Sequence, residues 1–291
     1  MSTPMNAQCY LCHFCKNVEK ARALGSEADA TAFALDLMKM YLSAPEGVSA
    51  PWFEPATYAL LDQYFHIGQD PYKQEKAASN KFVLERLDTI RSRVEQAEDP
   101  VYAGLQCAIL GNYIDFSALQ EVVSFEKLDS MLENAMHYHV DDAVYRQLCE
   151  ELKTGKTLLY LTDNAGEIGF DRIFAEQIAA RYPHLSITFC VRGGPAANDA
   201  TREDAEALGI PFPVIDNGSR LPGTQLELLG AEAKQAIDTA DVIIAKGQAN
   251  TETLYGCGYN IYYAFLVKCP RFVELFGEAP LTPMLVREND L

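Results

Sequence analysis

The chain has 291 residues, 48% of them hydrophobic, enough to bury a sizeable core as one large domain or two modest ones. Lys and Arg number 24 against 41 Asp and Glu, and a formal charge of −17 repels nucleic acid and anionic membranes. Apolar runs such as 261–267 fall far short of the roughly 20 residues that span a bilayer. The first residues show neither the basic start nor the apolar core of an export signal, and five of the eight cysteines lie scattered through apolar segments. Both features predict a cytoplasmic protein with reduced thiols. Aromatic residues make up 10% and no low-complexity tract occurs, which excludes a disordered chain.

In chain order, the first half predicts helix after helix. Residues 19–41 place Leu24, Ala28, Ala32, Leu35 and Met38 or Met40 at helical spacings. Pro45, Pro51 and Pro55 interrupt the pattern, and a second helical stretch carries Tyr58, Leu61 and Phe65. Asp70-Pro71-Tyr72 turns into a helix running through Lys76 and Asn80 to Val94. Asp99-Pro100 opens the next, ending near Gly111, and 125–152 holds one or two more. No strand-like alternation persists in this half.

After Gly155 the pattern changes. Short β-rich runs at 157–161, 186–191, 212–215, 241–245 and 260–267 alternate with amphipathic stretches at 168–182, 199–208 and 224–239. This alternation predicts an α/β fold: a Rossmann-like parallel sheet with helices on both faces, preceded by an all-helical N-terminal domain. The expected division is 1–153 for the helical domain and 154–291 for the α/β domain that carries the chemistry.

In open parallel sheets, ligands bind beyond the carboxyl ends of the strands. Thr162-Asp163-Asn164-Ala165-Gly166-Glu167 follows the first run, and Asn198-Asp199 closes the segment after the second. Asp216-Asn217-Gly218 follows the third, and Lys246-Gly247-Gln248-Ala249-Asn250 the fourth. Any one of Asp163, Asn198 or Asp199 alone reads most simply as a helix cap, and Asn217-Gly218 as a turn. Lys246 has no capping explanation. Placed after an apolar run and before a glycine, it is expected to point an ammonium at the ligand end of the sheet. Together the set suits a phosphate bound through a divalent cation. Carboxylate and amide oxygens are hard ligands that favour Mg²⁺ or Mn²⁺. Two carboxylates would neutralise the ion, Asn164 would add an uncharged oxygen, and Lys246 with backbone amides would hold the phosphate. Neither the dinucleotide nor the P-loop glycine fingerprint occurs.

Four segments, Gly111-Asn112-Tyr113-Ile114-Asp115, Thr162 to Glu167, Asn198-Asp199 and Lys246 to Asn250, resemble the signatures of the metal-dependent damage-control phosphatases, formerly a domain of unknown function. The resemblance runs over most of the chain, including Asp70-Pro71, Lys76 and Asn80. Cys9-x-x-Cys12 is similar to the prokaryotic and archaeal branch. The resemblance implies that Asp163, Asn164 and Asp199 ligate a divalent metal, with Co²⁺ or Ni²⁺ as further candidates. It implies that Lys246, Gly247 and Asn250 contact the substrate phosphate, and that Asn112, Asp115, Lys76 and Asn80 line the site.

The expected activity is hydrolysis of small phosphorylated metabolites, with Asp163 and Lys246 as the catalytic groups. The cation would polarise the phosphoryl group and position water, while Lys246 would offset charge on the equatorial oxygens. Covalent attack by Asp163 stays open. Two rivals use the same rim: a non-catalytic sensor of a phosphorylated ligand, and a Rossmann-like methyltransferase, which lacks its glycine-rich loop here. No nucleic acid or membrane partner is expected, and the substrate and oligomeric state stay open.

Cys9-Tyr10-Leu11-Cys12-His13 matches the pattern of c-type haem attachment, an accidental match without export. Cys9, Cys12 and Cys15 are one ligand short of a closed four-ligand site and read first as a packing cluster, with a structural or regulatory metal, His13 included, as the alternative. His137 and His139, two apart in a helical pattern, would point to opposite faces and read as ordinary surface or packing residues.

Overall fold

Thirteen α-helices and one six-stranded sheet account for the regular structure of residues 3–114, 125–135 and 138–291, which this computed structural model describes (Phe125 by its backbone alone). Where the spacing predicts one helical face over 19–41, two helices form, α1 (Ala7–Leu24) and α2 (Glu27–Ser43). Gly25 ends the first, and the Ser26 hydroxyl accepts the Asp29 N–H to open the second. That break resets the helical phase. Ala30, Phe33 and Leu37 are the buried positions of α2, while Leu24, Leu35 and Met38 are exposed.

A short 3-10 turn at Ala50–Phe53 leads into α3 (Glu54–Phe65). The helix expected to run to Val94 is divided into α4 (Lys73–Leu84) and α5 (Leu87–Glu95). Asp99 caps α6 (Pro100–Gly111) by accepting the Val101 and Tyr102 N–H groups, with Pro100 in the first turn. Helices α7 (Phe125–Glu133) and α8 (Asp142–Thr154) complete this half, and Asp141 caps α8.

The sheet then alternates with helices in order: β1 (Thr157–Leu161), α9 (Glu167–Arg181), β2 (Ser186–Val191), α10 (Arg202–Ala207), β3 (Val214–Asp216), α11 (Ala231–Thr239), β4 (Val242–Lys246), α12 (Gly247–Leu254), β5 (Ile261–Leu266), α13 (Pro270–Phe276) and β6 (Pro283–Arg287). The strand order is β3-β2-β1-β4-β5-β6, parallel throughout except for β6, which pairs antiparallel to β5. This edge strand lies outside the sequence expectation. Helix α10 is shorter than expected because Asp199 and Thr201 are drawn into isolated bridges with Asn164 and Arg192.

Strand side chains alternate between two cores. Leu158, Tyr160, Phe189, Val242, Ile244 and Tyr262 face one, and Leu159, Leu161, Ile243, Ala245 and Tyr263 face the other. Helix α6 packs along α9 on the first face, close enough that a Cβ on Gly111 would meet the Phe170 ring at 2.5 Å. The core on that face runs without interruption from Phe82 in α4 to Leu285 in β6, across the expected division at 153/154. Among the described residues no helix is long and apolar enough to cross a membrane.

Candidate active site

Strands β1 and β4 lie side by side, yet the chain continues from β1 towards β2 and from β4 towards β5. Such a switch point opens a crevice at the carboxyl ends, and the segments after β1 and β4 meet there. After β1, Gly166 takes φ 79°, and a Cβ there would stand 2.8 Å from Ser79 of α4. The Gly166 N–H donates to Asn80 Oδ1 at 2.7 Å, so α4 fixes the turn that carries Asp163 and Asn164. After β4, Gly247 takes φ 77°, and a Cβ would lie 1.9 Å from Asp163 Oδ2. Only a residue without a side chain lets the two segments approach this closely.

Asp163 is held on its other sides by amides. Asn112 Nδ2 donates to Asp163 Oδ2 at 2.9 Å and Asn164 Nδ2 donates to the same oxygen at 2.7 Å. Both amides also donate to Glu167 Oε2, at 3.0 and 2.7 Å. Asn112 Oδ1 accepts the Leu266 N–H at 3.1 Å, which anchors the end of α6 to β5. Asn164 Oδ1 accepts from Asn198 Nδ2 at 2.8 Å, and Asn164 bridges to Asp199. Arg192 Nε in turn donates to Asp199 Oδ2 at 2.6 Å.

Asp163, Asn164 and Asp199 thus come together in the lining of one open cleft. Two carboxylates and a carboxamide form a hard-oxygen set, and the neighbouring Asn198 Oδ1 is buried with no hydrogen-bond partner. These residues fit a divalent cation such as Mg²⁺ or Mn²⁺. Among the described residues no three His, Cys, Asp or Glu stand close enough to share a metal.

The signature of the Damage-control phosphatase ARMT1-like domain matches residues 5–281. The chain belongs to the damage-control phosphatase family. It is 34% identical to a damage-control phosphatase of Pyrococcus horikoshii over 216 residues, 72% of each chain. A damage-control phosphatase of Archaeoglobus fulgidus is 34% identical over 207 residues, 69% of this chain and 70% of that one. An uncharacterized protein of Methanocaldococcus jannaschii is 36% identical over 242 residues, 80% and 78% of the two chains. The crystal structure of a DUF89 family protein from P. horikoshii superposes with a TM-score of 0.83 at 26% identity, covering 98% of this chain and 99% of that one.

Several expected substrate contacts of this damage-control phosphatase family member are engaged with protein instead. Lys246 does not face the cleft. In β4 it shares parity with Val242 and Ile244, so its side chain enters the face covered by α6 and α9. There Nζ donates to Ala108 O at 2.8 Å, Glu167 Oε1 at 2.6 Å and Asp171 Oδ1 at 2.8 Å, which uses all three N–H bonds. Burial works against the ammonium, yet the Asp171 and Glu167 carboxylates hold its pKa above the ordinary lysine value. Burial pushes the Asp171 carboxyl up, with Lys246 opposing.

Asn250 is also buried, its Nδ2 donating to Thr162 O and Lys246 O and its Oδ1 accepting from the Thr224 hydroxyl. Lys76 and Asn80 both bind Asp204, at 2.9 and 2.8 Å, tying α4 to α10. Asp115 and His137 lie outside the described residues. Sequence reasoning missed Glu167, Asp171 and Arg192 as structural partners of the site. Two acids four apart within the apolar run of α9 were the available signal for the first two.

The cysteines need a further correction. Cys9, Cys12, His13 and Lys16 occupy one face of α1, and that face lines the same cleft as Asp163. Cys9 and Cys12 are therefore cleft residues rather than a packing cluster. Burial pushes the Cys9 thiol up, which leaves it a protonated, weak nucleophile.

Proposed function

We propose that the chain hydrolyses phosphate monoesters of small metabolites with the help of a hard divalent cation held by Asp163, Asn164 and Asp199. The observation that carries this reading is the fixation of Asp163. Two amides and the bare Cα of Gly247 hold its carboxylate at the cleft wall. Mg²⁺ or Mn²⁺, or alternatively Co²⁺ or Ni²⁺, would supply Lewis acidity towards the phosphoryl oxygens.

The chain's own residues do the rest by placement. Asn112 and Asn164 stop the Asp163 carboxylate from rotating, so no reorganisation is needed when charge develops. Arg192 does the same for Asp199. Asp163 Oδ2 already accepts from two amides, which weakens that oxygen as a nucleophile, and the attacking oxygen is assigned to water. Lys246 acts at one remove, as the buried counter-charge that fixes Glu167 beneath Asn112 and Asn164.

Phosphate release from a metabolite panel with each of the four metals tests the reading. Asp163→Asn should weaken metal binding and lower turnover at least about 100-fold, or about 2.7 kcal/mol of barrier. Turnover that survives this substitution, or no release with any metal, overturns it. Saturable binding without release would favour the sensor reading.

A further inference from the structure

With Lys246 committed behind the site, positive charge in the cleft has to come from elsewhere. Four carboxylates line it, Asp163, Asp199, Glu54 and Glu252, and the basic side chains among its lining residues are His13, Lys16 and Arg271. His13 is bonded to the Tyr41 hydroxyl, and burial lowers its pKa. Lys16 is exposed on α1. Arg271 is half-buried, and neither it nor Lys16 makes an ion pair or side-chain hydrogen bond with a described residue. Arg271 Nε is buried with no hydrogen-bond partner, and the nearby guanidinium favours the charged form of Glu252 without pairing with it directly. A guanidinium presents a fixed fork of donors that matches carboxylate and phosphate oxygens, and a buried donor without an acceptor is unfavourable until one arrives.

Its place in the fold separates Arg271 from the oxygen ligands. Asp163 follows β1 and Asp199 follows β2, whereas Arg271 opens α13 just beyond β5. One strand, β4, stands between β1 and β5, so the two strand ends are two spacings apart, roughly 10 Å. Both groups line the same cleft, and the strand order sets the segment that carries Arg271 to one side of the loops that carry the hard-oxygen set.

We propose that Arg271 binds a second anionic group of the substrate, a carboxylate or a second phosphate, in the same cleft as the phosphoryl group being cleaved and to one side of it. This rests on the proposed phosphatase reading of the site and narrows its substrates to phosphomonoesters that carry another anion. Arg271 is then a specificity determinant, remote from the reacting atoms.

The probes are 6-phosphogluconate and glucose 6-phosphate, which share a six-carbon chain and terminal phosphate and differ at carbon 1, carboxylate against hemiacetal. Glucose 1,6-bisphosphate supplies the second-phosphate arm. Wild-type protein, Arg271→Gln and Arg271→Lys are compared by kcat/KM and by ligand-induced shift in Tm. Wild type should favour one of the dianionic-ended probes over glucose 6-phosphate by at least about 10-fold, the scale of one charged hydrogen bond. Arg271→Gln should abolish that preference while changing glucose 6-phosphate by less than about threefold, and Arg271→Lys should keep part of it.

An equal loss on all probes would mean that the guanidinium grips the phosphoryl group itself, and no wild-type preference or no loss in either variant would mean that it meets no substrate. Each result overturns the proposal. If no probe is hydrolysed but the Tm shifts still follow Arg271, the phosphatase reading fails and the anion site stands. Should Arg271→Gln fail to fold, Arg271→Lys carries the test, because it keeps the charge and loses the fork.

Discussion

Replacing Lys246 with Met keeps the length and apolar stem of the side chain and removes only the ammonium. In the native protein that ammonium lies between Glu167 and Asp171, and all three side chains have no exposed surface. The substitution leaves two carboxylates in a dry interior with no counter-charge, and Ala108 O without its donor. Breaking a buried pair in this way costs about 3–5 kcal/mol, because an uncompensated charge remains. Part of the cost is relieved when one carboxyl takes a proton, and Asp171, already pushed up by burial, is the group that does so. The loss should therefore be largest near pH 8 and shrink towards pH 6. Urea unfolding of both proteins at the two pH values measures it. Adding Asp171→Asn to Lys246→Met should recover stability at pH 8. A loss below about 1 kcal/mol, with phosphate release abolished, would refute the argument and return Lys246 to the substrate.

Gly247→Ala puts a methyl group 1.9 Å from Asp163 Oδ2 at a positive φ that costs an L-residue about 1–2 kcal/mol. Turnover should fall more than about 100-fold with the far-UV circular dichroism retained, and near-normal turnover would show that the Asp163 position is not critical. Burial pushes the Glu252 carboxyl from 4.5 up to about 7. Between these values the folded protein holds a proton that the unfolded chain has released, so this group lowers stability as pH rises through that window. Glu252→Gln should flatten the stability profile between pH 5 and 8, and an unchanged slope in urea unfolding would discount the group.

What could be read from the sequence follows physical range. Strands 157–161 and 186–191 form as expected because an apolar run buried on both faces and bounded by polar turns is a local signal. The meeting of Asp163, Asn164 and Asp199 was also legible, since parallel strands deliver their following loops to one rim. The direction of Lys246 depended on parity within β4, where a shift of one residue reverses the face. Strand β6 starts with Pro283 and gains its pairing only from β5, so nothing local marked it. The cleft position of Cys9 and Cys12 arises from where α1 docks, which no pattern within α1 records. The break before α2 was in fact written in Ser26-Glu27-Ala28-Asp29, where the serine cap precedes an acidic first turn.

The ties made by Asn112 bear on how the protein is born. Its Oδ1 waits for Leu266, 154 positions later, and Lys246 reaches back 138 positions to Ala108 O. A chain leaving the ribosome presents Asn112 and Asp163 long before either can be locked in place, and contacts of such sequence separation form late. Hydrolytic competence is then a property of the finished polypeptide alone. A product that stops before β5 retains Asp163 and Asp199 yet lacks the Leu266 N–H that anchors Asn112. Such fragments should release no phosphate from any substrate that the full chain hydrolyses.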